Sequence, residues 1–173
     1  MTKTALEFSI AGARLALDLA HVVEVLPAVS LVKPPETPPL LRGFVNVEGR
    51  MIPLLRLERL LRLQVRDQVW NPEEDLSSMI VLAEVDEIVL GWMVMGDARM
   101  ISYDRTETVK LPSQHVLNNC AEWVIARKPP EPSIVLLEMN RLLLEKERVM
   151  IAELRDREEA RLREVDADFL SVE

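Results

Sequence analysis

Cys120 is the one thiol in the chain, and His115 precedes it by five residues. A cysteine nucleophile needs a base to form the thiolate and an electropositive, part-exposed setting to keep it. Cys120 instead sits between Asn119 and Ala121, just before a strand, where an inert core thiol is expected. The second histidine, His21, stands three residues from Glu24, a ligand spacing only if that segment were helical. The valines around it, Val22, Val23 and Val25, argue for strand. Neither histidine belongs to a His-x-x-x-His or Cys-x-x-Cys pattern, so no metal site is assigned. The glycines Gly12, Gly43, Gly49, Gly91 and Gly96 are too scattered to cradle a phosphate. Carboxylates are plentiful, but none is paired in an apolar setting that would drive two pKa values apart. No catalytic residue and no cofactor is expected, and enzyme is the weaker class.

Other residues suit recognition. Gly49 beside Arg50 fits a tight hairpin turn, and Gly43 follows the proline loop 33–39, where the chain enters a strand at a sharp angle. Each is either a plain turn position or a place where a partner's backbone comes close. Met79, Met93, Met95 and Met100, with Trp92, gather thioether in one region. They read as core packing or as a groove that accepts a partner helix, since the unbranched side chain repacks easily.

The elements that must position these residues are β-strands. From Gly43 to Leu61 the chain reads as strand, tight turn, strand, then one or two helical turns. Ile52–Leu61 matches Ile134–Leu143 in six of ten positions at an offset of 82. Ala16–Leu26 lies over Gly91–Ile101 at an offset of 75. Two halves, each closing with a strand and a short helix, are therefore expected. Leu6 to Leu19 reads as a hairpin across Gly12, with Glu7 and Ser9 on its solvent side. Val22–Leu26 continues as strand, and Val29–Val32 reads as a further one. Residues 78–95 give the clearest hairpin, turning at Asp86-Glu87. Short strands are expected in 99–110, at 122–126 and at 133–139. From Asn140 the pattern becomes helical, with Ile151, Leu154, Leu162, Val165 and Phe169 near a three-four spacing interrupted by Glu158. Glu153 with Arg157, and Glu159 with Arg163, stand at the favourable i,i+4 order. That helix reads as packed on the β-domain, or as a surface for self-association.

Composition narrows the partners. The net charge of −8 disfavours nucleic acid, whose phosphates need a basic footprint, and disfavours an acidic membrane surface for the same reason. A single cysteine excludes an internal disulfide and fits a reducing cytoplasm. No secretion-type leader is expected, and no apolar run approaches a membrane span.

Taken in order, Leu17-Asp-Leu-Ala-His-Val-Val-Glu-Val-Leu26, the proline loop and Gly43-Phe-Val-Asn-Val-Glu-Gly-Arg-Met-Ile-Pro-Leu54 resemble CheW-like domains, the coupling proteins of bacterial chemosensory arrays. Gly91-Trp-Met-Val94 and Ile134–Leu143 carry the resemblance through the second half, so that it spans residues 5–144. It implies a mainly β fold of two intertwined five-stranded SH3-like barrels. The first would cover about 14–77 and the second 78–144 with the N-terminal strand, followed by a charged C-terminal α-helix over 145–173. It implies a non-enzymatic cytoplasmic adapter, held at the inner face of the membrane through receptor complexes. Its partners would be the regulatory domain of a CheA-type histidine kinase, at a barrel end, and a chemoreceptor cytoplasmic tip, in an apolar groove between the barrels. Val22, Glu24, Gly43, Asn46, Val47, Glu48 and Gly49 match the partner surface of the family, with Trp92 and Met95 as groove residues. The family commonly has Asn-Leu-Arg-Gly where this chain has Asn46-Val-Glu-Gly49. A cation near Glu24 is thus replaced by Glu48, and if the two carboxylates lie close, Arg42, Arg50 or solvent must relieve their repulsion. The second departure is Val94-Met-Gly-Asp97, where the family often shows Val-Asp. A divergent member is implied; the alternative is a scaffold of a dedicated signalling complex that assembles through its C-terminal helix.

Overall fold

Period-two alternation builds strands through most of the chain. The computed structural model describes residues 1–65, 70–112 and 116–170. β1 (Thr2–Ile10) and β2 (Ala13–Asp18) form an antiparallel hairpin, followed by β3 (Val22–Pro27). β4 (Leu41–Val47) and β5 (Arg50–Leu55) form the next hairpin, closed by one helical turn, α1 (Leu57–Leu60). β6 (Met79–Val85) and β7 (Ile88–Val94) turn on Asp86 and Glu87, whose φ values of 48° and 67° place both in the left-handed region that a two-residue hairpin loop requires. β8 (Arg99–Asp104), β9 (Thr108–Lys110), β10 (Ala121–Ile125) and β11 (Ile134–Leu137) follow. The long helix α2 (Glu145–Leu170) comes last, preceded by a 3-10 turn at Met139–Arg141, so helix begins later than Asn140. Val29–Val32 is not a strand; Val32 alone bridges Phe44.

The strands form two sheets, ordered β8, β1, β2, β11, β10, β9 and β3, β6, β7, β5, β4. This differs from the expected 14–77 and 78–144 division. Each half lends its leading hairpin to the other half's sheet: β1–β2 joins β8–β11, and β6–β7 joins β3–β5. The first sheet has six strands rather than five because the short β9 pairs along β10. Register confirms the duplication. Leu136 pairs in parallel with Ala16 in one sheet, and Leu54 with Gly91 in the other. These pairs superpose under the two offsets read from the sequence.

Apolar side chains divide among three clusters. Ala5, Ala16, Tyr103, Ile125, Ile134 and Leu136 fill the six-stranded unit, and Val45, Ile52, Leu54, Ile80, Leu82 and Met93 fill the five-stranded one. The largest cluster lies between them and joins Phe8 of β1 to Trp92 of β7, ring centroids 5.6 Å apart, with α1 and Ile151 of α2 packed onto it. The seam is thus closed at its centre by hydrophobic contact. Glu7, expected on a solvent face, is buried beside Arg14 and Arg99, whose Nε donates to Glu7 Oε2 at 2.9 Å. A buried carboxylate persists only when cations and donors replace its water.

Candidate partner-binding surface

The β4–β5 hairpin presents the most accessible group of candidate residues. Val47 pairs with Arg50, so the two-residue loop is Glu48-Gly49 rather than Gly49-Arg50. Both loop residues have positive φ, 51° and 82°, and Asn46 Oδ1 accepts a hydrogen bond from the Gly49 N–H at 2.9 Å. The turn needs that geometry, since left-handed backbone matches the twist of the flanking strands. Asn46, Glu48 and Gly49 are exposed and Val47 is half-buried.

On β3, Glu24 is exposed and Val22 half-buried, with a bulge between them. Val23, which is not among the expected contact residues, is 51% exposed. The Val22-Val23 doublet could have signalled it, because neighbouring strand residues point to opposite faces. Among the described residues Glu24 and Glu48 make no ion pair. Arg42 does not relieve them: it is buried and committed to Glu58 (Nη2 to Oε1, 2.5 Å) and Glu73 (Nη1 to Oε1, 3.2 Å).

Two expected contact residues are structural. Trp92 has no exposed area and belongs to the seam core, so it cannot be a groove wall. Gly43 is buried under the proline loop. Val32 and Phe44 exchange backbone hydrogen bonds of 2.8 Å beside it, and a Cβ at Gly43 would meet Val32 O at 2.7 Å. The glycine admits this chain's own loop, not a partner. The methionines do not share a groove either. Met93 lies inside the five-stranded unit, Met79 and Met95 are half-buried, and Met100 is exposed on β8 of the other sheet.

An apolar cleft does exist, but its wall is the C-terminal helix. Pro34 and Pro35 of the proline loop, Asn46, Met51 and Leu162 and Val165 of α2 enclose about 360 Å³. α2 is seated on β5: Ile151 is fully buried, and Glu159 Oε1 accepts from the Met51 N–H at 3.2 Å. Glu158, read as an interruption of the apolar stripe, is buried within it. Arg163 lies 3.6 Å from Glu159 in the expected i,i+4 pair. The periodicity implied a packed face for this helix; which strand received it could not be read from local pattern.

The reactive-residue candidates stand apart from this surface. The Cys120 thiol is buried, 3.4 Å from the Arg141 carbonyl oxygen, and desolvation with the nearby Glu147 charge pushes its pKa up to about 11. At neutral pH such a thiol stays protonated and unreactive. His115 lies outside the described residues. His21 borders a cleft of about 490 Å³ with Asp18, Tyr103 and Glu122, in which Glu24 takes no part. Among the described residues no three His, Cys, Asp or Glu side chains gather as a metal site, and no helix is long and apolar enough to cross a membrane.

The family model for the CheW-like domain matches residues 4–147, ending near the start of α2. Among solved structures the fold is similar to the scaffolding protein TtCheW from Thermoanaerobacter tengcongensis, with a TM-score of 0.69 and 24% identity, over 83% of this chain and 89% of that chain. That likeness carries the two SH3-like barrels expected from the sequence. No curated protein matches the chain.

Proposed function

The chain belongs to the CheW-like domain family, and from that premise we propose that it is a non-enzymatic cytoplasmic adapter coupling chemoreceptor cytoplasmic tips to a CheA-type histidine kinase. The observation that supports this reading best is the exposed Asn46–Gly49 hairpin, rigidly held by its own turn and lying beside the apolar cleft under α2. Val22, Val23, Glu24 and the hairpin would form the kinase-facing surface. The receptor helices would meet the apolar surface bordered by α2. Individually modest contacts gain strength when many copies are linked.

Glu48 gives this surface a charge opposite to the family's usual arginine. Like charges across an interface reject partners, so Glu48 and Glu24 together would select a kinase domain with a basic face. The test is a pull-down of a receptor cytoplasmic fragment and of a CheA-type regulatory domain with wild type and Val47→Glu. Loss of either partner by the folded variant supports the site, and retention of both contradicts it. Gly43 is no probe of binding, because its substitution disturbs the fold first.

The alternative, a dedicated complex assembled through α2, draws on the apolar residues at its end: Phe169 is 77% exposed and Leu170 80%. Measuring solution mass for wild type and a Phe169→Glu, Leu170→Glu variant distinguishes it, because only self-assembly through this end predicts a fall in mass.

A further inference from the structure

The cleft beside α1 carries an unusual excess of positive charge for an acidic protein. Arg42, Arg56, Arg59, Arg62 and Trp70 line it, and it encloses about 660 Å³. Two carboxylates, Glu58 and Glu73, also border it, but both are engaged. Glu58 and Glu73 accept from Arg42, and Lys33 pairs with Glu73 from the proline loop. Arg56 spends its Nε on the Leu41 carbonyl at 3.3 Å, while Arg59 and Arg62 make no ion pair among the described residues. Arg56, Arg59 and Arg62 thus form no ion pair among the described residues. Burial, and then the neighbouring Arg42 and Arg59, depress the pKa of Arg56 against the opposing pull of Glu58 and Glu73.

Hydrogen-bond accounting points the same way. Arg42 is only 6% exposed, yet its Nε has no acceptor, and the Trp70 indole Nε1 is buried without one. Both orphaned groups on this cleft are donors. Buried donors are normally satisfied, and an anion satisfies donors and cations together. Guanidinium forks match the paired oxygens of a phosphate. Three cations exceed what one carboxylate neutralises, and the volume is in the small-molecule range. Leu63, Val65 and the indole add apolar wall for an organic portion.

We propose that this cleft is a binding site for a small phosphate-bearing anion of two or more charges, held by Arg56, Arg59, Arg62 and the Trp70 N–H. Arg59 and Arg62 are exposed, so their replacement spares the core. The experiment titrates the full chain with pyrophosphate and with ADP, by calorimetry and by tryptophan fluorescence. Saturable binding is expected, strengthening as salt is lowered. Arg59→Gln with Arg62→Gln should weaken it at least about tenfold without moving the ligand-free melting temperature. The corresponding lysine variants, which keep charge but lose the fork, should fall between. Trp70→Phe should remove the fluorescence change, locating the ligand on this side of α1. No saturable binding at up to about 10 mM, or binding indifferent to the arginine changes, overturns the proposal. Tighter binding of an oligoglutamate peptide than of either phosphate also overturns it, and makes the cleft a docking surface for acidic protein.

Discussion

At the scale of single residues, two positions resembling contact sites are packing sites. Trp92 closes the seam, so Trp92→Ala should cost about 3–5 kcal/mol of unfolding free energy, measured by denaturant titration. A loss under 1 kcal/mol would mean that the seam is not a shared core. Gly43→Ala should cost about 1–3 kcal/mol by forcing Val32 from β4, before any effect on partners. Cys120 is tested by thiol labelling. With its pKa near 11, thiolate at pH 8 should be about one part in a thousand of the folded protein, so labelling should wait for unfolding. A folded-state pKa above the ordinary value means that the proton is held more tightly in the fold. The stability it contributes is present below pH 9 and is lost as pH rises from about 9 toward 11. Rapid labelling of native protein at neutral pH would contradict this account.

At the scale of elements, α2 is half integrated and half free. Its mean composition is polar, and its seat depends on Ile151, the Glu159 bond to Met51 and the cleft contacts of Leu162 and Val165. Ile151→Ala should therefore destabilise the whole domain by about 2–5 kcal/mol in one cooperative transition. Two separate thermal transitions would instead mark α2 as an independent appendage. A truncation removing 145–173 would expose core, whereas one ending after residue 165 retains Ile151 and isolates the exposed tip. On the neighbouring face, burial alone would raise the pKa of Glu73, but hydrogen bonds from Lys33 and Arg42 outweigh it and hold the value down. That contribution is present above the ordinary carboxylate value and fades as pH falls through the depressed one.

At the scale of the whole molecule, the doubling was legible and the exchange was not. Period-two alternation located the hairpins, and the offsets of 75 and 82 reappear as superposable parallel pairs, Ala16 with Leu136 and Gly91 with Leu54. Alternation says which face of a strand is apolar; it does not say which sheet receives it. The strands of 79–94 therefore read as the start of a second barrel, although they complete the first. Gly43 and Trp92 were misplaced for a related reason. A glycine serving its own chain's loop and one serving a partner leave the same sequence trace. The arginine cleft escaped notice because Arg42, Arg56, Arg59 and Arg62 converge only once β4, α1 and the segment at Trp70 are assembled. The hairpin residues Asn46–Gly49, by contrast, were readable, because turn chemistry and exposure are local properties.

The central claim is that the hairpin end of the five-stranded barrel selects a partner by shape and charge. Titration calorimetry of Glu48→Arg against a CheA-type regulatory domain whose natural coupling protein carries arginine tests it most directly. The variant should bind that domain at least about fivefold more tightly than wild type. Equal affinity for wild type and variant, with both folded, would contradict it.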